Sequence, residues 1–223
     1  MNRIMRKGGV KMCLNNSMCG CSGNRHGNGE CNALGPFVAV DAACIVPTPP
    51  AQITGGTIIP FSSGTIPATL ASAALGLVGL SSLVGFGTSI PGIEIAGNEI
   101  PLIGGLLSEA FTVPRAGFIT SIAATFTLTA AVTLLGTSSI RAQIYQAPAG
   151  SNTFTATNAF VDLLPSLTGV IAINTILSNS ATITPVPVAV GDRLLMVFSI
   201  NSTAGIELAN VVVGNASAGI TIA

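Results

Sequence analysis

Beyond Cys44 the chain holds no cysteine, no histidine, no lysine and no tryptophan. Its charged side chains there are Glu94, Glu99, Glu109, Arg115, Arg141, Asp162, Asp192, Arg193 and Glu207. A typical soluble domain is about 25 % charged, whereas this whole chain of 223 residues is 7 % charged. Nucleophilic, acid–base and metal chemistry draw on the residue types that are missing or sparse here. Residues 45–223 are long enough for a sizeable core but lack the usual equipment of a catalyst. The expectation is a non-enzymatic building block with no cofactor.

The formal net charge is zero, yet it is unevenly spread. Residues 1–44 set Arg3, Arg6, Lys7, Lys11 and Arg25 against Glu30 and Asp41, whereas the remainder sets three arginines against six carboxylates. Neither part has the basic footprint of a nucleic-acid binder. Weak surface charge favours self-association, because little repulsion keeps copies apart.

High hydropathy raises the question of a membrane span. Residues 68–87 (ATLASAALGLVGLSSLVGFG) are long enough to cross about 30 Å of hydrocarbon. They are broken by Gly76, Gly79, Gly85 and Gly87, and no flanking Lys, Arg, Trp or Tyr anchors them. No membrane partner is expected. The opening MNRIMRKGGVKM is basic, but no apolar run follows it, so no secretory leader is expected either.

Along the chain, residues 1–35 are polar and rich in Gly, Asn and Cys, with no strand or helix periodicity. Residues 36–56 (PFVAVDAACIVPTPPAQITGG) join a short apolar segment to a cluster of prolines, which favours an extended path. Residues 1–56 are therefore read as an arm, and residues 57–223 as an all-β domain. From Thr57 onward, short apolar runs alternate with Gly, Pro, Asn and Ser. The longest alternation, at 118–134, places Phe118, Ile122, Phe126, Leu128 and Leu134 on one face. Other expected strands are 57–61, 109–113, 139–146, 159–164, 170–177, 193–200, 205–213 and 219–222. In 193–200, Leu194, Met196, Phe198 and Ile200 share a face. Residues 68–83 fit either a helix or a buried pair of strands. Eight to ten strands suit a sandwich or jelly roll.

Residues 57–223 resemble the C-terminal domain of the exosporium glycoprotein BclB family of spore-forming Firmicutes. The likeness rests on IIPFSSG (58–64), GLVGLSSLVGFGTS (76–89), FTVPRAGFITSIAATF (111–126), SIRAQIYQAP (139–148), RLLMVFSI (193–200) and VVVGNASAGITIA (211–223), in order. The resemblance implies a trimeric jelly roll, similar to the tumour-necrosis-factor and complement heads, on the outermost spore layer. It also implies synthesis in the mother-cell cytosol and other exosporium proteins as partners. Relatives carry a collagen-like Gly-X-Y stalk before this domain; this chain has none.

All five cysteines, Cys13, Cys19, Cys21, Cys31 and Cys44, precede the domain. Cys21, His26 and Cys31 match three ligands of a zinc knuckle, but the preceding thiol is Cys19, and C-x-C is a shorter bite than the C-x2-C such a site uses. An odd count leaves at least one sulfur per chain free or bridged to a partner. Intermolecular cross-linking is therefore the main expectation, with Phe37, Val38 and Val40 as docking residues, beside the plainer reading of reduced thiols with no role. Gly85-Phe-Gly87 reads as a turn, and Asp192-Arg193 as a surface turn pair. Glu94 and Glu99 lack the opposed partners and aromatic platforms that sugar hydrolysis uses.

Two functions remain in play at this point. One is a structural subunit of the spore surface, in the exosporium or an appendage fibre, assembling as homotrimers joined through the arm. The other is an adhesion or ligand-binding module on the same fold, which would carry a pocket with convergent polar groups.

Overall fold

The computed structural model describes residues 5–7, 10–12, 55–72, 79–95, 97–101, 109–204 and 210–223. The chain divides into two units, Met1–Gln52 and Ile53–Ala223. In the first, β1 (Met5–Lys7) pairs antiparallel with β2 (Val10–Met12), setting Arg6 opposite Lys11. Strand structure was not expected in residues 1–35. Three-residue strands are too short to show alternation; the usable signal was the Gly8-Gly9 step between them.

The second unit contains β3 (Thr57–Ser62), β4 (Ala68–Ala71), β5 (Leu80–Val84), β6 (Ser89–Glu94), β7 (Glu99–Pro101), β8 (Phe111–Thr112) and β9 (Gly117–Leu128). It continues with β10 (Val132–Ala147), β11 (Thr153–Asp162), β12 (Leu167–Ile171), β13 (Ile176–Val188), β14 (Arg193–Ala204) and β15 (Val211–Ile222). Four strands pair in the order β3-β15-β9-β13 to form the first sheet. The second sheet runs β5-β14-β10-β11. The chain passes from one sheet to the other and back as it lays these strands down, which is the connectivity of a jelly roll. The all-β expectation holds.

Strand β4 bonds to β15 on one side and to β5 on the other, so the two sheets are continuous along that flank. Only one residue pair, Ala71 and Leu80, joins β4 to β5 by register. Ser82 supplements it, its Oγ accepting from the Thr69 amide (2.9 Å) and donating to the Thr69 carbonyl (2.8 Å).

The core lies between the inward faces. Ile122, Ala124, Phe126 and Leu128 of β9 meet Leu194, Met196 and Phe198 of β14, all buried. Phe126 and Phe198 bridge the sheets with ring centroids 6.2 Å apart. Side chains of this size contribute about 1.5–3 kcal/mol each when fully buried. The alternation expected for 193–200 is found here.

The expected strand 118–134 is two strands. β9 stops at Leu128, and residues 129–131 turn the chain into β10. The register also slips at Ser121, so Ile119 and not Thr120 faces the core. A bulge inserts one residue and inverts the alternation on one side of it. Likewise, 170–177 is not one strand but the end of β12, a turn, and the start of β13, with Asn174 at φ 64°. Residues 68–71 and 80–84 are strands, which decides the helix-or-strand question for those positions. Among the described residues no helix is long and apolar enough to cross a membrane.

A second, smaller core covers the outward face of the second sheet. Ile100 from β7 and Ile90 and Ile93 from β6 pack with Tyr145, Phe154, Leu195 and Val197. This explains why Leu195 and Val197 are buried although they point away from the main core.

Candidate interaction surface

Cys13, Cys19, Cys21, Cys31, Cys44, Phe37, Val38 and Val40, the expected cross-linking and docking residues, lie outside the described residues. The surfaces with functional geometry are on the jelly roll.

None of the four strands of the first sheet contains a charged residue. Their pairing sets the outward side chains in rows. Ile58, Thr221, Ser121 and Thr182 form one row, and Pro60, Gly219, Ala123 and Ser180 the next. Ser62, Ser217, Thr125 and Ser178 follow, then Asn215, Thr127 and Ile176. Phe118, opposite Pro187, closes the other end. The middle is small and hydroxylated, whereas the rim is apolar and open: Ile58 is 71 % exposed, Ile176 60 % and Phe118 51 %. A shallow open depression of about 610 Å³ runs across the centre, along Ala123, Thr125, Ser178, Ser180, Ser217 and Gly219. This face has no cover from its own chain comparable with the β6–β7 segment on the opposite sheet, among the described residues.

Its bordering strands are protected differently. Pro60 lies in β3, and Pro185 and Pro187 lie in β13, each removing a backbone donor from an outer strand. The Leu164 amide and carbonyl pair with Ser178, and the Ser180 amide is taken up by the Asn179 side chain at 2.8 Å.

Within the second unit, the charge of the described residues lies on the second sheet, on the strands β6 and β7 that cover it, and in the loops. Arg141 forks onto Asp162 through Nε–Oδ1 (2.8 Å) and Nη2–Oδ2 (2.9 Å), and its guanidinium lies 4.1 Å from the Phe160 ring centre. The hydrogen bonding that Arg141 donates to Asp162 raises the Arg141 pKa above its ordinary range, against a smaller lowering by burial. Asp192 is not the surface partner expected of it. It is buried, its Oδ2 accepting from the Ala189 amide (2.8 Å) and Gln146 Nε2 (2.7 Å). Arg193 turns away from it to bond the Ser151 carbonyl and Asn152 Oδ1.

The Gly85-Phe-Gly87 segment is a turn, as expected, with the Gly85 amide donating to the Thr88 carbonyl (3.0 Å). It also seats a buried carboxylate: Thr88 Oγ1 donates to both oxygens of Glu109, at 2.7 and 2.8 Å. A Cβ at position 85 would stand 2.8 Å from Cδ of Glu109, so the glycine makes the seat. Among the described residues no group of three or more His, Cys, Asp or Glu side chains gathers as a metal site would require.

No protein-family model matches the chain. It is 30 % identical over 178 residues to Collagen-like protein 1 of Acanthamoeba polyphaga mimivirus, covering 75 % of this chain. The chain spans only 19 % of that relative's length. Among solved structures, Eiger TNF from S. frugiperda aligns with 76 % of this chain and 94 % of its own, at 10 % identity and a TM-score of 0.34.

Proposed function

We infer that this chain is a non-catalytic structural subunit whose jelly roll associates with two further copies through the outward face of its first sheet. The observation that carries the reading is that face: four neighbouring strands without a charge, exposed on one side. A sheet face left in water ordinarily alternates polar and charged residues outward. At strand spacings of about 4.8 Å and a rise of about 3.3 Å per residue, the face measures roughly 20 by 35 Å. That approaches the ~800 Å² per partner of a stable interface. Small residues at its centre allow close approach, and the apolar rim supplies burial at about 25 cal/mol per Å².

The setting we propose is the outermost layer of a spore, as exosporium or appendage fibre, on the strength of the motifs shared with the BclB family. The likeness to a segment of a collagen-like protein agrees with a module used in extended surface structures. In this reading residues 1–56 join one trimer to the next, with Cys13, Cys19, Cys21, Cys31 and Cys44 available for cross-links.

Light scattering on the full chain and on Ala123→Arg tests it. With reductant and at a dilution that releases the arm joints, the expected result is a trimer that becomes a monomer with an unchanged β-type circular dichroism spectrum. A monomeric wild-type chain, or a variant that stays trimeric, overturns it.

A further inference from the structure

One strand of the second sheet lacks the protection given to β3 and β13. β12 (LTGVI) pairs with β10 along one edge, and among the described residues no strand pairs with its other edge. It carries no proline and no charge. Thr168, Gly169 and Val170 are exposed, Val170 by 81 %, and the turn that follows exposes Ile173 by 55 %. An exposed, uncharged apolar edge is a template for another strand.

Position decides what it takes. β12 ends, and β13 begins, at the end of the sandwich where β9 finishes and β15 starts. Gly55 and Gly56 enter the sandwich at the opposite end, where a Cβ on Gly56 would meet the backbone of Ile222 and Ala223. The segment that precedes them contains an uncharged apolar run, Phe37-Val-Ala-Val40. From Val40 to Gly55 an extended chain reaches up to about 50 Å, at roughly 3.3 Å per residue. That exceeds the roughly 40 Å length of a 12-residue strand such as β9. The chain of one copy can therefore leave at one end and reach β12 at the far end of another.

We propose that the free edge of β12 receives residues 37–40 of a further copy as an added strand, joining trimers lengthwise. This rests on the assembly reading above and names the surface that receives the arm. Backbone pairing along β12 supplies the register, and Val170 and Ile173 bury the incoming Phe37 and valines.

The test uses the full chain, Val170→Lys and Val170→Pro, with a labelled synthetic peptide of residues 36–46 carrying Ser for Cys44. Polarisation should detect the peptide on wild type and at least about tenfold weaker binding on both variants. Scattering should find both variants trimeric, Val170→Lys with the wild-type melting temperature, and electron microscopy should find their lengthwise assemblies lost. Absence of peptide binding to wild type, equal binding to the variants, or undiminished assemblies would each refute the inference. If wild type binds the peptide but is monomeric, the trimer reading fails while the β12 site stands.

Discussion

The ring of Phe126 lies directly over Gly214 on the neighbouring strand. A Cβ at 214 would stand 2.7 Å from Cζ of Phe126 and 2.5 Å from the Thr127 carbonyl oxygen. Phe126 is fully buried and spans to Phe198, so it has nowhere to retreat. Gly214→Ala should destabilise the fold by about 1–3 kcal/mol through overpacking, read as a lower denaturant midpoint at unchanged slope. A neutral outcome would mean that the ring and strand yield more than a packed core allows.

Ser82 makes the bonds that the short β4–β5 ladder leaves unmade. Ser82→Ala would strand the amide and carbonyl of Thr69, at a cost of about 1–3 kcal/mol. Faster hydrogen exchange at Thr69 than at Leu70 would locate the loss.

Tyr145 is the single tyrosine of the chain, so tyrosinate absorbance reports it alone. Burial raises its pKa above the ordinary 10.0, against a smaller lowering by the nearby Arg141 charge. A raised folded-state pKa means stability fully present below pH 10 and falling as pH climbs from there through the folded value. The native midpoint should lie above that of the denatured chain, and Tyr145→Phe should remove this part of the alkaline loss.

The Arg141–Asp162 pair is partly open to water, with side chains 26 % and 38 % exposed. Solvent screening holds its worth to about 1 kcal/mol or less. A double-mutant cycle with Arg141→Ala and Asp162→Asn should give a coupling of that size that shrinks in high salt. Coupling of several kcal/mol would show the site to be far drier than its exposure indicates.

Legibility in the sequence followed how local each signal was. The face shared by Leu194, Met196 and Phe198 needs only period two, and it is there in β14. The division of 118–134 turns on Thr129, Ala130 and Ala131, which continue the composition of the strand before them and carry no Gly, Pro or Asn to announce a turn. The slip at Ser121 depends on partners across the sheet, in β13 and β15. Asp192 looked like a surface residue because one of its caps, Gln146, is 46 positions away and is brought to it by the fold, although the other, the Ala189 amide, is only three residues back. The uncharged face could have been found from the composition of residues 117–128, 176–188 and 211–222. That they adjoin could not, because the strand order is a long-range fact.

The three prolines on the outer strands of the first sheet bear on how large an assembly can become. With Pro60 at one border and Pro185 and Pro187 at the other, copies can stack their faces but cannot zip their borders into a continuous ribbon. In the proposed assembly, growth by that sheet is thereby confined to rings that close on themselves, and extension beyond a ring is left to the arm and the edge of β12.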